Sequence, residues 1–171
     1  MDALVVVDFQ EKLAKRIDGI EDILKNSEKL IKAFRIFNLP IIATEQMKLG
    51  NTVENIRRLI AEIITKSSFS CMRNEKFLNR IKELRVRRVA LIGIEAHICV
   101  YQTAIDMIKS GIEVSVAVDC IGSRKKTDKD VAIIRMLQEG VKISSAEMII
   151  YEILKTAEAK EFKEILEIIK E

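Results

Sequence analysis

Short, uninterrupted apolar runs recur along the chain and predict buried β-strands. Residues 4–7 form a run of four apolar residues, three of them β-branched valines, that ends at Asp8. Such a run is typical of a strand buried on both faces of a parallel sheet. The same pattern predicts five further strands, at residues 40–44, 63–66, 89–92, 112–118 and 141–143.

Between these runs, apolar positions recur at spacings of three and four, which is typical of amphipathic helices. The clearest case is residues 19–37, which Asn38-Leu39-Pro40 ends. A second helix is predicted from an N-cap at Thr52 through Ile60 and Ile63. The remaining predicted helices cover residues 77–84, about 99–110, 131–137 after a polar loop at 122–130, and 149 to the C-terminus.

This alternation predicts right-handed βαβ units and therefore an α/β fold. We expect a three-layer α/β/α sandwich with a Rossmann-like, mostly parallel sheet of about six strands. At 171 residues the chain fits a single domain, residues 1–171. Ligands of such sheets bind at the carboxyl ends of the strands, where the sequence places Asp8, Lys66 and the turn at residues 93–99.

Composition narrows the class of protein. Hydrophobic residues make up 49% and charged residues 32% of the chain, which excludes a disordered protein. The 29 basic and 26 acidic residues are mixed throughout, so we expect no nucleic-acid partner. No apolar stretch is long enough to span a membrane and no signal-peptide pattern opens the chain, so we expect a cytoplasmic protein with no membrane partner.

The three cysteines are widely spaced and odd in number, which predicts reduced thiols. The dominance of Lys and Glu among the charged residues, together with abundant isoleucine, resembles proteins of heat-adapted organisms.

Cys99 follows the predicted strand 89–92, at the start of a predicted helix. The partial positive charge and unpaired N–H groups of a helix N-terminus favour a thiolate and can hold an oxyanion. Asp8 could take the thiol proton, and Lys66 could favour the resulting ion pair. Each residue also has a structural interpretation: a buried apolar thiol, a helix cap and a solvated lysine head.

Six segments of the chain resemble the isochorismatase-like cysteine hydrolases, which include nicotinamidases. The resemblance is nearest to the subgroup called isochorismatase domain-containing proteins. It lies in residues 7–11 (VDFQE), 44–46 (TEQ), 65–70 (TKSSFS), 93–100 (GIEAHICV), 118–124 (VDCIGSR) and 162–165 (FKEI).

The resemblance places the family's catalytic triad on Asp8, Lys66 and Cys99. It also implies a cis peptide at Ile94-Glu95, with the backbone N–H groups of Glu95 and Cys99 as the oxyanion hole. A homo-oligomer is expected as well, and the apolar segment at residues 166–169 is a candidate contact with a partner subunit.

The chain departs from the metal-binding nicotinamidases because its one histidine, His97, cannot supply their set of ligands. We therefore expect no metal and no cofactor. The substrate-pocket candidates are Phe9, Gln10, His97 and Tyr101, with a core position as the alternative for Phe9. The basic run at residues 124–126 could attract an anionic substrate or could be a solvated loop.

These observations predict a metal-independent cysteine hydrolase that acts on a small amide or related carbonyl compound through a thioester on Cys99. The alternative is a non-catalytic binding or interaction module of the same fold. A nucleotide-binding domain is disfavoured, because Gly93 stands alone where a GxGxxG motif is required.

Overall fold

A single parallel sheet of six strands organises the protein. The computed structural model describes residues 1–170, and its strands lie in the order β3-β2-β1-β4-β5-β6, all of them parallel. The strands are β1 (Ala3–Val7), β2 (Ile41–Gln46), β3 (Ile63–Lys66), β4 (Arg88–Ile94), β5 (Glu113–Gly122) and β6 (Lys142–Ser144). The predicted sheet of six strands is confirmed.

Eight α-helices connect and cover these strands. They are α1 (Glu11–Ala14), α2 (Ile20–Ile36), α3 (Glu54–Arg57), α4 (Glu75–Glu83), α5 (Tyr101–Lys109), α6 (Lys126–Gln138), α7 (Ala146–Leu154) and α8 (Phe162–Lys170). A 3₁₀ turn at Cys71–Arg73 precedes α4, and a π-helical turn at Ala96–Val100 precedes α5. Within residues 1–170, no helix has the length and apolar character needed to cross a membrane.

The two faces of the sheet bury alternate residues of the same strands. In β1, Leu4 and Val6 pack into one core with α2, α7 and α8. Val5 and Val7 pack into a second core with α4, α5 and α6 on the other face. Because helices cover both faces, the strands are apolar on both sides, and the predicted three-layer α/β/α architecture is confirmed.

Two predictions of helix and strand boundaries are wrong. The helix predicted from Thr52 through Ile63 is only the four residues of α3, while Ile63 begins β3, which has the bounds predicted for that strand. The strand predicted to end at Asp119 continues to Gly122, and α6 begins inside the predicted loop. Asp119 is tolerated inside β5 because its carboxylate accepts a hydrogen bond from the Ala146 N–H at 2.9 Å.

The C-terminal region differs from the prediction in a third way. It forms α7 and α8 rather than one helix, with a break at Lys155, whose φ is 65°. Ile165 and Ile168 of α8 are buried within the chain itself, and Ile169 packs against the core that contains α2. Ile168 and Ile169 are therefore covered at least in part by this subunit's own residues, whereas Leu166 is half-buried.

Candidate active site

The carboxyl edge of the sheet brings the predicted site residues together. β1 lies between β2 and β4, so the chain leaves β1 at the point where the strand order reverses, which is where such sheets bind ligands. Val7 pairs with Thr44 on one side and with Gly93 on the other. Asp8, the next residue, therefore lies beside both Thr44 and the turn that carries Cys99.

Gly93 allows the two central strands to approach each other closely. Its φ is 138°, and a Cβ added there would lie 2.1 Å from the backbone oxygen of Val7. No other residue fits this position without moving β1, so the close approach depends on the absence of a side chain.

Asp8 and Lys66 form a buried ion pair. The Lys66 Nζ lies 2.6 Å from the Asp8 Oδ2, and both side chains are 0% exposed. The other carboxylate oxygen of Asp8 accepts a hydrogen bond from the Thr44 hydroxyl at 2.7 Å. Asp8 holds a left-handed backbone conformation with φ of 50°, a sparsely populated region that the surrounding contacts must maintain.

The Lys66 ammonium is surrounded by oxygen acceptors. Besides Asp8, it lies 3.0 Å from the Gln46 Oε1 and 3.1 Å from the carbonyl oxygens of both Ser68 and Phe69. A buried charge is tolerated only when it is paired and hydrogen-bonded in this way. Lys66 is thus a fixed internal cation and not a solvated lysine head.

Cys99 lies in the π-helical turn at Ala96–Val100 and is 6% exposed. The carbonyl oxygen of Glu95 accepts hydrogen bonds from the N–H groups of Ile98 and Val100 at 3.1 and 3.3 Å, which closes the turn. The Ile94-Glu95 peptide is cis, as the resemblance implied.

The surroundings of the Cys99 thiol favour its neutral form. Burial raises its pKa well above the usual range, and the charge of the nearby Asp8 carboxylate raises it further, while the Lys66 ammonium opposes the shift. The helix N-terminus alone favours a thiolate, whereas burial and the Asp8 charge both act against one. The arrangement instead places a thiol against the carboxylate that can accept its proton.

A second thiol, Cys71, completes the hydrogen-bond chain behind Asp8. The Thr44 hydroxyl lies 3.6 Å from the Cys71 Sγ and donates its one proton to Asp8, so the Cys71 thiol donates to Thr44. Burial raises the pKa of Cys71 to about 11, which keeps this thiol neutral. Sequence reasoning assigned Cys71 no role, because nothing in the sequence shows that it lies beside Thr44.

The four predicted pocket residues have different environments. Phe9 is buried in the core that contains α2, which is the alternative given for it. Gln10 is also buried, and its side chain bonds to the backbone of Gln46 and Gly50, so it fixes the loop after β2.

His97 and Tyr101 are half-buried and face α6. The His97 Nδ1 lies 2.9 Å from the Ser123 Oγ, and the Arg135 guanidinium lies 4.8 Å from the Tyr101 ring centre.

A metal site built from protein side chains needs several ligating groups close together. Among residues 1–170, no three or more His, Cys, Asp or Glu side chains are grouped so that they could hold an ion.

Fold and site together define an α/β protein with a thiol, a carboxylate and an ammonium at the carboxyl edge of a parallel sheet. The chain belongs to the isochorismatase family, because the isochorismatase domain model matches residues 2–148. Isochorismatase domain-containing protein 2 of Rattus norvegicus is 33% identical over 171 residues, which cover 98% of this chain and 80% of that protein.

Solved structures agree with this assignment. The MAR1 ribonuclease from Caenorhabditis elegans has a TM-score of 0.93 and 37% identity, covering 99% of this chain and 89% of that one. The YcaC gene product of Escherichia coli, an octameric hydrolase of unknown specificity, has a TM-score of 0.86 and 23% identity, covering 91% and 81% of the two chains. At that identity YcaC supports the fold alone.

Proposed function

We propose that this protein is a metal-independent cysteine hydrolase that cleaves a small amide or related carbonyl compound through a thioester on Cys99. Membership of the isochorismatase family supports a hydrolase. The observation that carries the proposal is the buried Asp8 carboxylate, which is paired with the Lys66 ammonium and lies near enough to the Cys99 thiol for its charge to raise the pKa of that thiol. We place the activity in one domain, residues 1–171, acting in the cytoplasm without a cofactor.

The first half of the reaction forms the thioester. Asp8 accepts the proton of the Cys99 thiol as the sulfur attacks the carbonyl carbon of the substrate. The resulting oxyanion is held by the backbone N–H groups of Glu95 and Cys99, and such donors contribute about 3–4 kcal/mol each. The C–N bond then breaks, and the protonated Asp8 returns its proton to the leaving nitrogen.

The second half releases the product. Asp8 accepts a proton from a water molecule that attacks the thioester carbonyl, and the C–S bond breaks as the carboxylic acid leaves. The proton passes from Asp8 to the sulfur, which restores the thiol. Lys66 neither forms nor breaks a covalent bond in this reaction. Its ammonium balances the charge of Asp8 whenever that carboxylate is ionised.

Two other functions compete with this proposal. A non-catalytic module of the same fold would have an inert Cys99, similar to the fully buried Cys71 and Cys120. The name of the Caenorhabditis elegans protein raises RNA hydrolysis as a competing activity, so an RNA oligonucleotide belongs in the set of substrates to be tested.

The test is a panel of small amides, small acyl esters and an RNA oligonucleotide, assayed with the wild type and Cys99→Ala. We expect hydrolysis of at least one small amide and its loss in Cys99→Ala, since no other thiol lies at the same turn. Mass spectrometry of the iodoacetamide-treated wild type should show faster labelling of Cys99 than of Cys71 or Cys120. Turnover of the same amide by Cys99→Ala, or RNA as the only substrate cleaved, would contradict the proposal.

We also propose that the protein is a homo-oligomer and that α6 contributes to the interface. Val131, Ile134 and Leu137 are 53%, 57% and 60% exposed, and their spacing of three places them on one side of the helix. The octameric state of YcaC is a precedent within the same fold.

Ile134→Lys/Leu137→Glu should reduce the molar mass measured by light scattering, because it places charges on the exposed apolar side of α6 without changing the net charge. Met148→Lys on α7, which replaces another exposed apolar residue, is the matched control and should keep the wild-type mass. A wild type with the mass of one chain, or a double variant with the wild-type mass, would rule out this interface.

A further inference from the structure

A basic cleft opens at the carboxyl edge of the sheet, beside the turn that carries Cys99. The cavity has a volume of about 490 Å³, which is within the range of small-molecule sites. Four cationic side chains line it: Lys12, Lys15, Arg16 and Arg124.

The walls of the cleft are built from segments that follow the strands of the active site. Lys12 lies in α1, which begins three residues after Asp8, and Lys15 directly follows this helix. Leu49 lies in the loop that follows β2. Glu95 comes directly after β4 and opens the turn of Cys99, and Arg124 comes two residues after β5. The cleft and the proposed reacting groups therefore lie at the same edge of the sheet.

The one acidic residue of the lining is already neutralised. A single oxygen of Glu95, Oε2, accepts hydrogen bonds from the Arg124 backbone N–H at 3.1 Å and from its Nε at 3.0 Å. These bonds orient the half-exposed Arg124 guanidinium in the lining, and within residues 1–170 they use only its Nε and not its two terminal nitrogens. A guanidinium oriented in this way suits the paired oxygens of a carboxylate or phosphate.

Among residues 1–170, no carboxylate forms an ion pair with the remaining cations of the cleft. Lys12 donates to the Lys48 carbonyl oxygen at 3.0 Å, which fixes its position without cancelling its charge. For Lys15 and Arg16, residues 1–170 provide neither an ion pair nor a side-chain hydrogen bond. The whole chain has nearly balanced charges, with 29 basic and 26 acidic residues, whereas the cleft lining has four cations and one paired acid. This local excess of positive charge attracts anions.

We propose that this cleft binds an oxyanionic group of the substrate, a carboxylate or a phosphate, so that Cys99 acts on a small amide that carries a negative charge. This inference rests on the proposed function. Leu13 and Leu49 provide an apolar wall for the carbon segment between the anion and the amide. A nucleic acid fits less well, because the cleft lining contains no aromatic side chain on which bases could stack.

The experiment compares two ligands that differ only in charge. The full chain with Cys99→Ser is titrated with succinamate, which carries one carboxylate and one amide, and with succinamide, its neutral isostere, by calorimetry. We expect succinamate to bind about tenfold more tightly than succinamide. Lys15→Gln/Arg16→Gln, both at exposed positions, should weaken succinamate binding about tenfold and leave succinamide binding unchanged.

The control is Lys82→Gln/Lys109→Gln. This double variant makes the same change in net charge at exposed positions near the ends of α4 and α5, at the opposite edge of the sheet. Because salt screens charges at that distance, the affinity for succinamate should change by no more than about twofold. Equal affinity for the two ligands, no binding of either, or equal weakening by both double variants would overturn the inference. Tighter binding of a uridine oligonucleotide than of succinamate, lost in Lys15→Gln/Arg16→Gln, would overturn it in favour of nucleic acid.

The two proposals can fail separately, because the calorimetric measurement involves no turnover. A preference for succinamate in a protein that hydrolyses no amide would overturn the hydrolase proposal alone. Hydrolysis of succinamide and succinamate by the wild type with equal kcat/KM would overturn the anionic substrate alone.

Discussion

Asp8→Asn is expected to change two properties of Cys99 in opposite directions. Hydrolysis should fall by about 10²–10⁴-fold, because the thiol loses the group that accepts its proton. Alkylation of Cys99 by iodoacetamide should become faster, because the negative charge of Asp8 raises the pKa of this thiol and its removal lowers that pKa. Turnover of an amide identified in the panel and the labelling rate at one pH are the two measurements.

Asp106→Asn is the matched control for this experiment. Asp106 is a partly exposed acid on α5, the helix that follows Cys99, and it pairs with Arg73 at the surface. Its replacement removes the same charge from the neighbourhood of the turn and should change neither rate appreciably. If Asp8→Asn slowed alkylation as much as hydrolysis, Asp8 would serve to form a resting thiolate, and its assignment as the proton acceptor of the reaction would fail.

Lys66→Met is expected to lower the free energy of unfolding by about 3–5 kcal/mol, because it leaves the Asp8 carboxylate buried without a counter-ion. Asp8→Asn/Lys66→Met removes both charges and should recover most of that loss, since two neutral side chains need no pairing. Urea unfolding followed by circular dichroism measures the difference. The double variant should still have no hydrolase activity.

The Lys142–Glu113 pair provides the comparison at the surface. Its side chains are 60% and 43% exposed, so Lys142→Met should cost at most about 1 kcal/mol. A Lys66→Met protein as stable as Lys142→Met would mean that Asp8 is neutral in the fold and that the ion pair is not what holds the site together.

Strand positions followed well from the sequence because both faces of the sheet are buried. A strand covered on both sides has to be apolar throughout, so runs such as residues 4–7 and 89–92 could be recognised without knowledge of their neighbours. The extension of β5 past Asp119 could not be predicted, because the partner that satisfies this carboxylate comes from α7. The break at Lys155 was missed because neither Gly nor Pro marks it.

The sequence could predict site residues from their positions along single strands, but not the contacts between neighbouring strands. Asp8 directly follows one strand and Lys66 ends another, so the strand ends indicated these positions, and the family resemblance then placed a triad on them and on Cys99. The contacts of Thr44 with Asp8 and of Gln46 with Lys66 depend on which strands are neighbours in space. The resemblance included residues 44–46 but assigned them no role, and the protonated state of Cys99 depends on a burial that the sequence does not show.

The close approach of Gly93 to Val7 has a consequence for how this fold can acquire new substrates. It fixes the separation of β1 and β4, the strands from which the chain leads to Asp8 and to the turn of Cys99. The walls of the basic cleft, in contrast, come from α1 and from loops at the surface. Most of the cleft lining can therefore be exchanged without altering the contact between the two central strands, and Glu95 is the one lining residue that also belongs to the turn of Cys99.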